Sequence, residues 1–141
     1  NDEIVCLRAH RIRGNSLDLL PFEDWDTPET AETGVTLFPT GVSGILYPPG
    51  VMPPQTLDES TFQRLSPRND DVWLYWMAAA AGRRFRKLAG GGSFRRWRGS
   101  QKVALWRSNN VGGNTDICVR AMIDAFGIPP QLREALGREA I

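Results

Sequence analysis

The stretch Leu65-Ser-Pro-Arg-Asn-Asp-Asp-Val-Trp-Leu-Tyr-Trp-Met-Ala-Ala-Ala-Ala-Gly82 constrains this chain most, because it carries the signals for both ends of a helix. Asn69 is a strong N-cap, able to accept from N–H groups that the first turn leaves unpaired, and Pro67 punctuates just before it. Gly82 follows the alanine run as a residue free to turn left-handed. These signals predict a helix from Asp70 to Ala81. Trp73, Trp76, Met77 and Ala80 share one face of it, the ordinary pattern of core packing. Asp70 and Asp71 open its first turn. The helix dipole favours carboxylates there by about 0.3–1 kcal/mol each, which is reason enough for both. A functional reason has to come from other segments.

At 141 residues the chain, 1–141, is read as a single domain with a real core. With 41% hydrophobic and 23% charged residues, its composition does not indicate disorder. No apolar run is long enough for a transmembrane helix, and no basic-then-apolar leader opens the chain. Cys6 and Cys118 are far apart without CxxC spacing, which suits reduced, buried thiols of a cytosolic protein better than the alternative, a disulfide. One histidine, His10, excludes multi-histidine metal sites but leaves carboxylate-held magnesium or manganese open. The chain starts at Asn1 with a strand-like run almost at once, the pattern expected of a piece of a longer protein.

Net charge is only +1, yet the charges are sorted. Ten of the sixteen acidic residues fall within the first sixty positions. Nine of the seventeen basic residues lie between Arg83 and Arg107, a window without Asp or Glu. Such segregation points one face at an anionic partner.

Along the chain, Ile4 to Arg13 reads as a strand, buried first and then half-exposed. Gly14-Asn15 is a turn, with Ser16 to Phe22 as a hairpin partner, and residues 23–34 make an acidic surface loop. Gly41 and Gly44 flank Val-Ser before a short buried strand, Ile45 to Tyr47, that Pro48-Pro49 ends. No phosphate-cradling GxGxxG is present. Thr56-Leu-Asp-Glu59 reads as a capping box opening a helix to about Arg64. Arg83 to Leu88 alternates as a strand, and Gly90 to Ser93 is a flexible loop. A helix capped by Asn114 ends at Gly127, and a last one runs from Pro129-Pro130 to near Gly137. The fold class expected is α/β, a mixed sheet with three to four helices.

Three features occur in order: Thr40-Gly-Val-Ser-Gly-Ile-Leu-Tyr-Pro-Pro-Gly50, Asn69-Asp-Asp-Val-Trp73 and Gly99-Ser-Gln-Lys-Val-Ala-Leu-Trp-Arg-Ser-Asn109. Together they resemble the acceptor-side half of bacterial glycosyltransferases of the GT-A type, near the family-2-like enzymes of surface polysaccharide assembly. Ile4-Val-Cys-Leu-Arg-Ala-His-Arg11 is similar to the strand that follows the nucleotide-sugar half in those enzymes. The resemblance implies a partial GT-A-like (Rossmann-like) domain whose nucleotide-binding half is absent. It implies an inverting transfer of sugar from a nucleotide-sugar donor to the hydroxyl of a carbohydrate acceptor, with the 141 residues inactive alone. By position, Asp71 takes the role of general base and Asp70 that of its orienting neighbour. A sugar hydroxyl is a poor nucleophile until a placed carboxylate accepts its proton, and oxocarbenium character welcomes nearby negative charge.

The resemblance further assigns substrate-binding roles to Thr40, Gly41, Gly44, Trp73, Arg98, Gln101, Lys102, Trp106 and Arg107. Of these, Arg98, Lys102 and Arg107, with Arg95 and Arg96, are the candidate clamp for the departing diphosphate. Magnesium or manganese is implied for the missing half, not for this chain. Asp24-Trp25-Asp26 has the letters of the family's Asp-x-Asp but lies in the acidic loop, and is read as chance. Gln101 and Trp106 stand one residue too far apart for the Gln-x-x-Arg-Trp of processive synthases. The location implied is cytoplasmic, at the inner face of the membrane, with peripheral docking on anionic lipid compatible. The competing expectation is a nucleic-acid-binding module. Residues 83–107 interleave Phe85, Phe94, Trp97 and Trp106 with positive charge, as stacking platforms do. The near-neutral net charge and the acidic N-terminal half oppose it.

Overall fold

Residues 2–90 and 113–139 are described by a computed structural model. Its centre is the helix the sequence marks most clearly, and the elements before and after wrap it on two sides. Six strands, β1 (Glu3–Cys6), β2 (Ala9–Arg11), β3 (Glu32–Gly34), β4 (Leu37–Pro39), β5 (Ile45–Leu46) and β6 (Arg84–Lys87), form two sheets. Four helices, α1 (Glu59–Leu65), α2 (Asp70–Ala80), α3 (Asn114–Phe126) and α4 (Pro130–Glu139), complete the described residues. The larger sheet has the order β3-β6-β1-β5; β1 and β6 run parallel, and β3 and β5 flank them antiparallel. β2 and β4 pair separately. The architecture is mixed α/β with an open mixed sheet, as the pattern of elements requires.

α2 begins where Asn69 caps it, the side chain accepting from Val72 N–H at 3.4 Å. The same side chain donates to Thr115 Oγ1 at 3.1 Å, so the cap also ties the start of α2 to α3. The helix ends with paired bonds from Gly82 N to Ala79 O and Arg83 N to Ala78 O, both 3.0 Å. Gly82 supplies the positive φ of +76° that this ending needs.

Between Val72 and Ala79 every residue except Leu74 is buried, whereas Ala80 is exposed. The expected single stripe is therefore too narrow, because α2 packs on two layers. Tyr75 stacks on Phe85 of β6, ring centroids 5.0 Å apart, and lies 5.4 Å from Phe38 of β4. On the other side Trp76 Nε1 donates to Gly127 O at 3.0 Å, where α3 gives way to α4. Each fully buried side chain of this kind contributes about 1.5–3 kcal/mol of transfer free energy.

Several local expectations change. Residues 16–22 form no hairpin strand: a single bridge joins Gly14 to Leu19, and Asn15 Oδ1 folds the loop by accepting from Leu17 and Asp18 N–H. The acidic stretch 23–34 is not all loop, because its end pairs with β6 as β3; three residues are too few to show a period. Leu46 of β5 is 65% exposed, because this edge strand covers one face only. The capping box does not form. Pro54–Leu57 is a turn of 3-10 helix, and Asp58 caps α1 by accepting from Thr61 N–H at 3.1 Å. Gly113, at φ +70°, is the N-cap of α3, so Asn114 is its first helical residue. α4 runs through Gly137 to Glu139.

Candidate functional site

Ligands of open α/β sheets bind beyond the carboxyl ends of the strands. At that end of the parallel pair β1–β6, three segments converge. β1 runs out into Leu7-Arg8, and β4 runs out through Thr40 into a 3-10 turn, Gly41–Ser43. α2 brings its first turn, Asp70 and Asp71. Thr40 N–H donates to Arg8 O at 3.2 Å, and Arg8 Nη1 donates to Thr40 Oγ1, also at 3.2 Å. The next amide, Gly41 N–H, points at Asp71, 3.2 Å from Oδ1 and 3.4 Å from Oδ2. A Cβ on Gly41 would sit in ordinary contact with the carboxylate, 3.5 Å from Asp71 Oδ1. Gly44 closes the turn by donating to Gly41 O at 3.0 Å, at a φ of +94° that favours glycine.

Asp71 is partly buried, and its carboxyl is pushed up to about 6. Burial is the largest cause and the charge of Asp70 the second; the Gly41 N–H bond and the Arg8 guanidinium pull the other way. Asp70 itself is exposed and acts on its neighbour through charge. Tyr47, just after β5, feels the same field: burial first, then Asp71 and Asp70, raise its hydroxyl well above the ordinary phenol value. A carboxylate whose proton affinity is raised toward neutrality can take a proton from a hydroxyl and give it up again.

Thr40, Gly41, Asp70 and Asp71 are thus gathered in one place, with Gly44 at the far end of the turn. Trp73 is not among them. Two helical positions from Asp71, it lies about 200° around the axis. Its Nε1 donates to Thr56 O at 3.0 Å, and its ring lines a separate cavity of about 560 Å³ with Leu65, Met77 and Phe126. Arg95, Arg96, Arg98, Gln101, Lys102, Trp106 and Arg107, and the loop after Gly90, lie outside the described residues. Arg8 and Tyr47 were missed in the sequence. The available signal was a lone arginine directly after a buried strand and a tyrosine ending the next one.

The remaining titratable groups have structural surroundings. His10 is buried against Phe22, with Nδ1 3.3 Å from Thr27 Oγ1. Burial, then Arg8, depress it to about 4, so it stays neutral. Cys6 and Cys118 are buried free thiols; burial pushes Cys6 up to about 11. Lys87, of the basic window, is buried beside its strand partner Cys6 and donates to Leu88 O at 3.1 Å and Thr30 O at 3.4 Å. Phe85 is core, not a stacking platform. Asp26 accepts from Arg13 Nε at 2.6 Å and pairs with Arg11 as well. No group of three metal-ligating side chains gathers among the described residues.

No protein-family model, curated protein or solved structure matches this chain.

Proposed function

We propose that this chain is the acceptor-side, catalytic-base half of an inverting glycosyltransferase of the GT-A type, acting in surface polysaccharide assembly. The observation that carries the reading is the Asp71 carboxylate. It lies beyond the carboxyl ends of the parallel strands, held by one backbone N–H and raised to about 6 by burial and Asp70. In the proposed step a carbohydrate hydroxyl attacks the anomeric carbon of a nucleotide sugar while Asp71 accepts the hydroxyl proton. The bond from that carbon to the nucleoside diphosphate breaks, and its electron pair leaves with the diphosphate. Configuration inverts because attack and departure are on opposite faces. Asp71 then returns its proton to water.

A Mg²⁺ or Mn²⁺ ion would supply charge to the departing diphosphate, but the described residues do not fit one. Asp26, the strongest candidate by spelling, is taken by Arg11 and Arg13. No step proposed here runs through a metal. The reading carries with it a cytoplasmic location at the inner face of the membrane. No helix among the described residues is long and apolar enough to cross one.

Transfer of a radiolabelled sugar by the full-length gene product tests the proposal. Asp71→Asn is expected to lower kcat by roughly 10²–10⁴-fold, and the ascending limb of the pH profile to fall near 6. Normal turnover by Asp71→Asn would remove Asp71 from the mechanism. The nucleic-acid alternative is weakened because Phe85 and Lys87 face the core and Arg86 pairs with Glu3 at 3.0 Å. Tight, salt-dependent shifts of random oligonucleotides would restore it.

A further inference from the structure

Arg8 has no part in the reaction as written, yet it is the residue on which the geometry around Asp71 converges. Its carbonyl accepts Thr40 N–H at 3.2 Å, and its Nη1 donates to Thr40 Oγ1 at 3.2 Å. Thr40 is therefore gripped from its backbone and from its side chain by one residue. The peptide that follows it carries the Gly41 N–H that meets Asp71 at 3.2 Å. We propose that Arg8 is the positioning residue of this site: by gripping Thr40 it holds the Gly41 amide on the Asp71 carboxylate, and its guanidinium keeps positive charge beside that carboxylate. The inference rests on the reading of Asp71 as the base.

The other groups facing Asp71 explain why a positioning residue is needed. Asp70, on the same helix turn, repels it. Tyr47, after β5, is partly buried and lies in the field of Asp71 and Asp70, to which Cys6 of β1 adds. Burial adds to the effect of Asp70 in favouring the protonated acid, which cannot accept a proton. Among the described residues the Gly41 amide and Arg8 oppose them, and the Arg8–Thr40 bond links the two. The side-chain grip is one bond from Nη1 of a planar guanidinium, a geometry that the rotating ammonium of lysine reproduces only in part.

The test needs no turnover. In the uniformly ¹⁵N-labelled 141-residue chain, the Gly41 amide shift is followed against pH, because a donor amide reports the ionisation of its acceptor. The wild type is expected to titrate with a midpoint near 6, and Asp71→Asn to abolish that titration. Arg8→Met should move the midpoint upward by roughly half a pH unit or more. Arg8→Lys should recover part of that displacement. Thr40→Val keeps the guanidinium but removes the hydroxyl it grips, and should shrink the amplitude at Gly41. A wild-type midpoint and amplitude in Arg8→Met would overturn the proposal. Should that variant not fold, an unchanged Gly41 amplitude in Thr40→Val overturns it instead. If Asp71→Asn retains transfer while these titrations behave as expected, the enzymatic reading fails and the Arg8–Asp71 link survives.

Discussion

The acidic clusters Asp24–Asp26 and Asp70–Asp71 carry the same functional groups and meet opposite treatment. Asp26, 45% exposed, is bonded by Arg13 and paired with Arg11, whose other guanidinium nitrogen bonds Glu32. Asp71 makes no ion pair among the described residues; it has one backbone N–H, a like charge one residue away and partial burial. The first arrangement spends the negative charge on holding β2, the acidic loop and β3 together. The second leaves a carboxylate with capacity for one more proton donor. A motif by spelling and a site by environment are thus different things, and the difference is set by which cations fold lays beside each acid.

The comparison can be broken most decisively through activity. Asp71→Asn should lower sugar transfer by roughly 10²–10⁴-fold, while Asp26→Asn should leave it within about twofold, since removing an exposed ion pair changes little beyond its own surroundings. Equal losses, measured side by side as kcat, would erase the distinction.

Stability should separate the clusters next, and with opposite sign. The folded-state value of Asp71, about 6, lies above the 3.8 of the free side chain. Between those values the folded state holds more protons than the unfolded one, so stability falls as pH rises and the cost is complete above about 6. Asp71→Asn should therefore stabilise the protein by about 1–3 kcal/mol at pH 7.5 and change little below pH 4. Thermal melts at the two pH values check it; a loss of Tm at pH 7.5 would contradict it.

Smaller still is the cost of removing Asp26. Its pairs are at the surface, so Asp26→Ala should destabilise by about 0–1 kcal/mol per pair, less in high salt. Urea midpoints at low and high ionic strength measure this. A loss of several kcal/mol would mean that the network is a core element and not a surface clasp.

Much of the scaffold was legible because its signals are local. Asn69 and Gly82 bound α2 within one turn of where they act, and β6 shows its alternation in Arg84 to Lys87. Other signals misled for equally local reasons. Thr56 and Glu59 had the spacing of a capping box, but Pro53 and Pro54 led the chain into a 3-10 turn, and Asp58 took over as the cap. Trp73 was grouped with Asp71 because both follow Asn69. Helical rotation sends its ring to a different cavity. Lys87 sits in a run of basic residues yet points inward, since strand alternation is indifferent to charge.

The sequence by itself determined where α2 starts and stops, that its first turn is acidic, and that strands and helices mix. Those properties depend on hydrogen bonds and propensities spanning a few residues. Only the tertiary structure decided that the turn at Gly41 meets Asp71 across thirty residues of chain, and that Arg8 stands behind that turn. It also decided that Asp26 pairs directly with Arg11 and Arg13, whereas among the described residues Asp71 meets Arg8 only through Thr40 and the field of its charge. Contacts between distant residues follow from how elements pack, and the proton affinity of a carboxylate follows from those contacts.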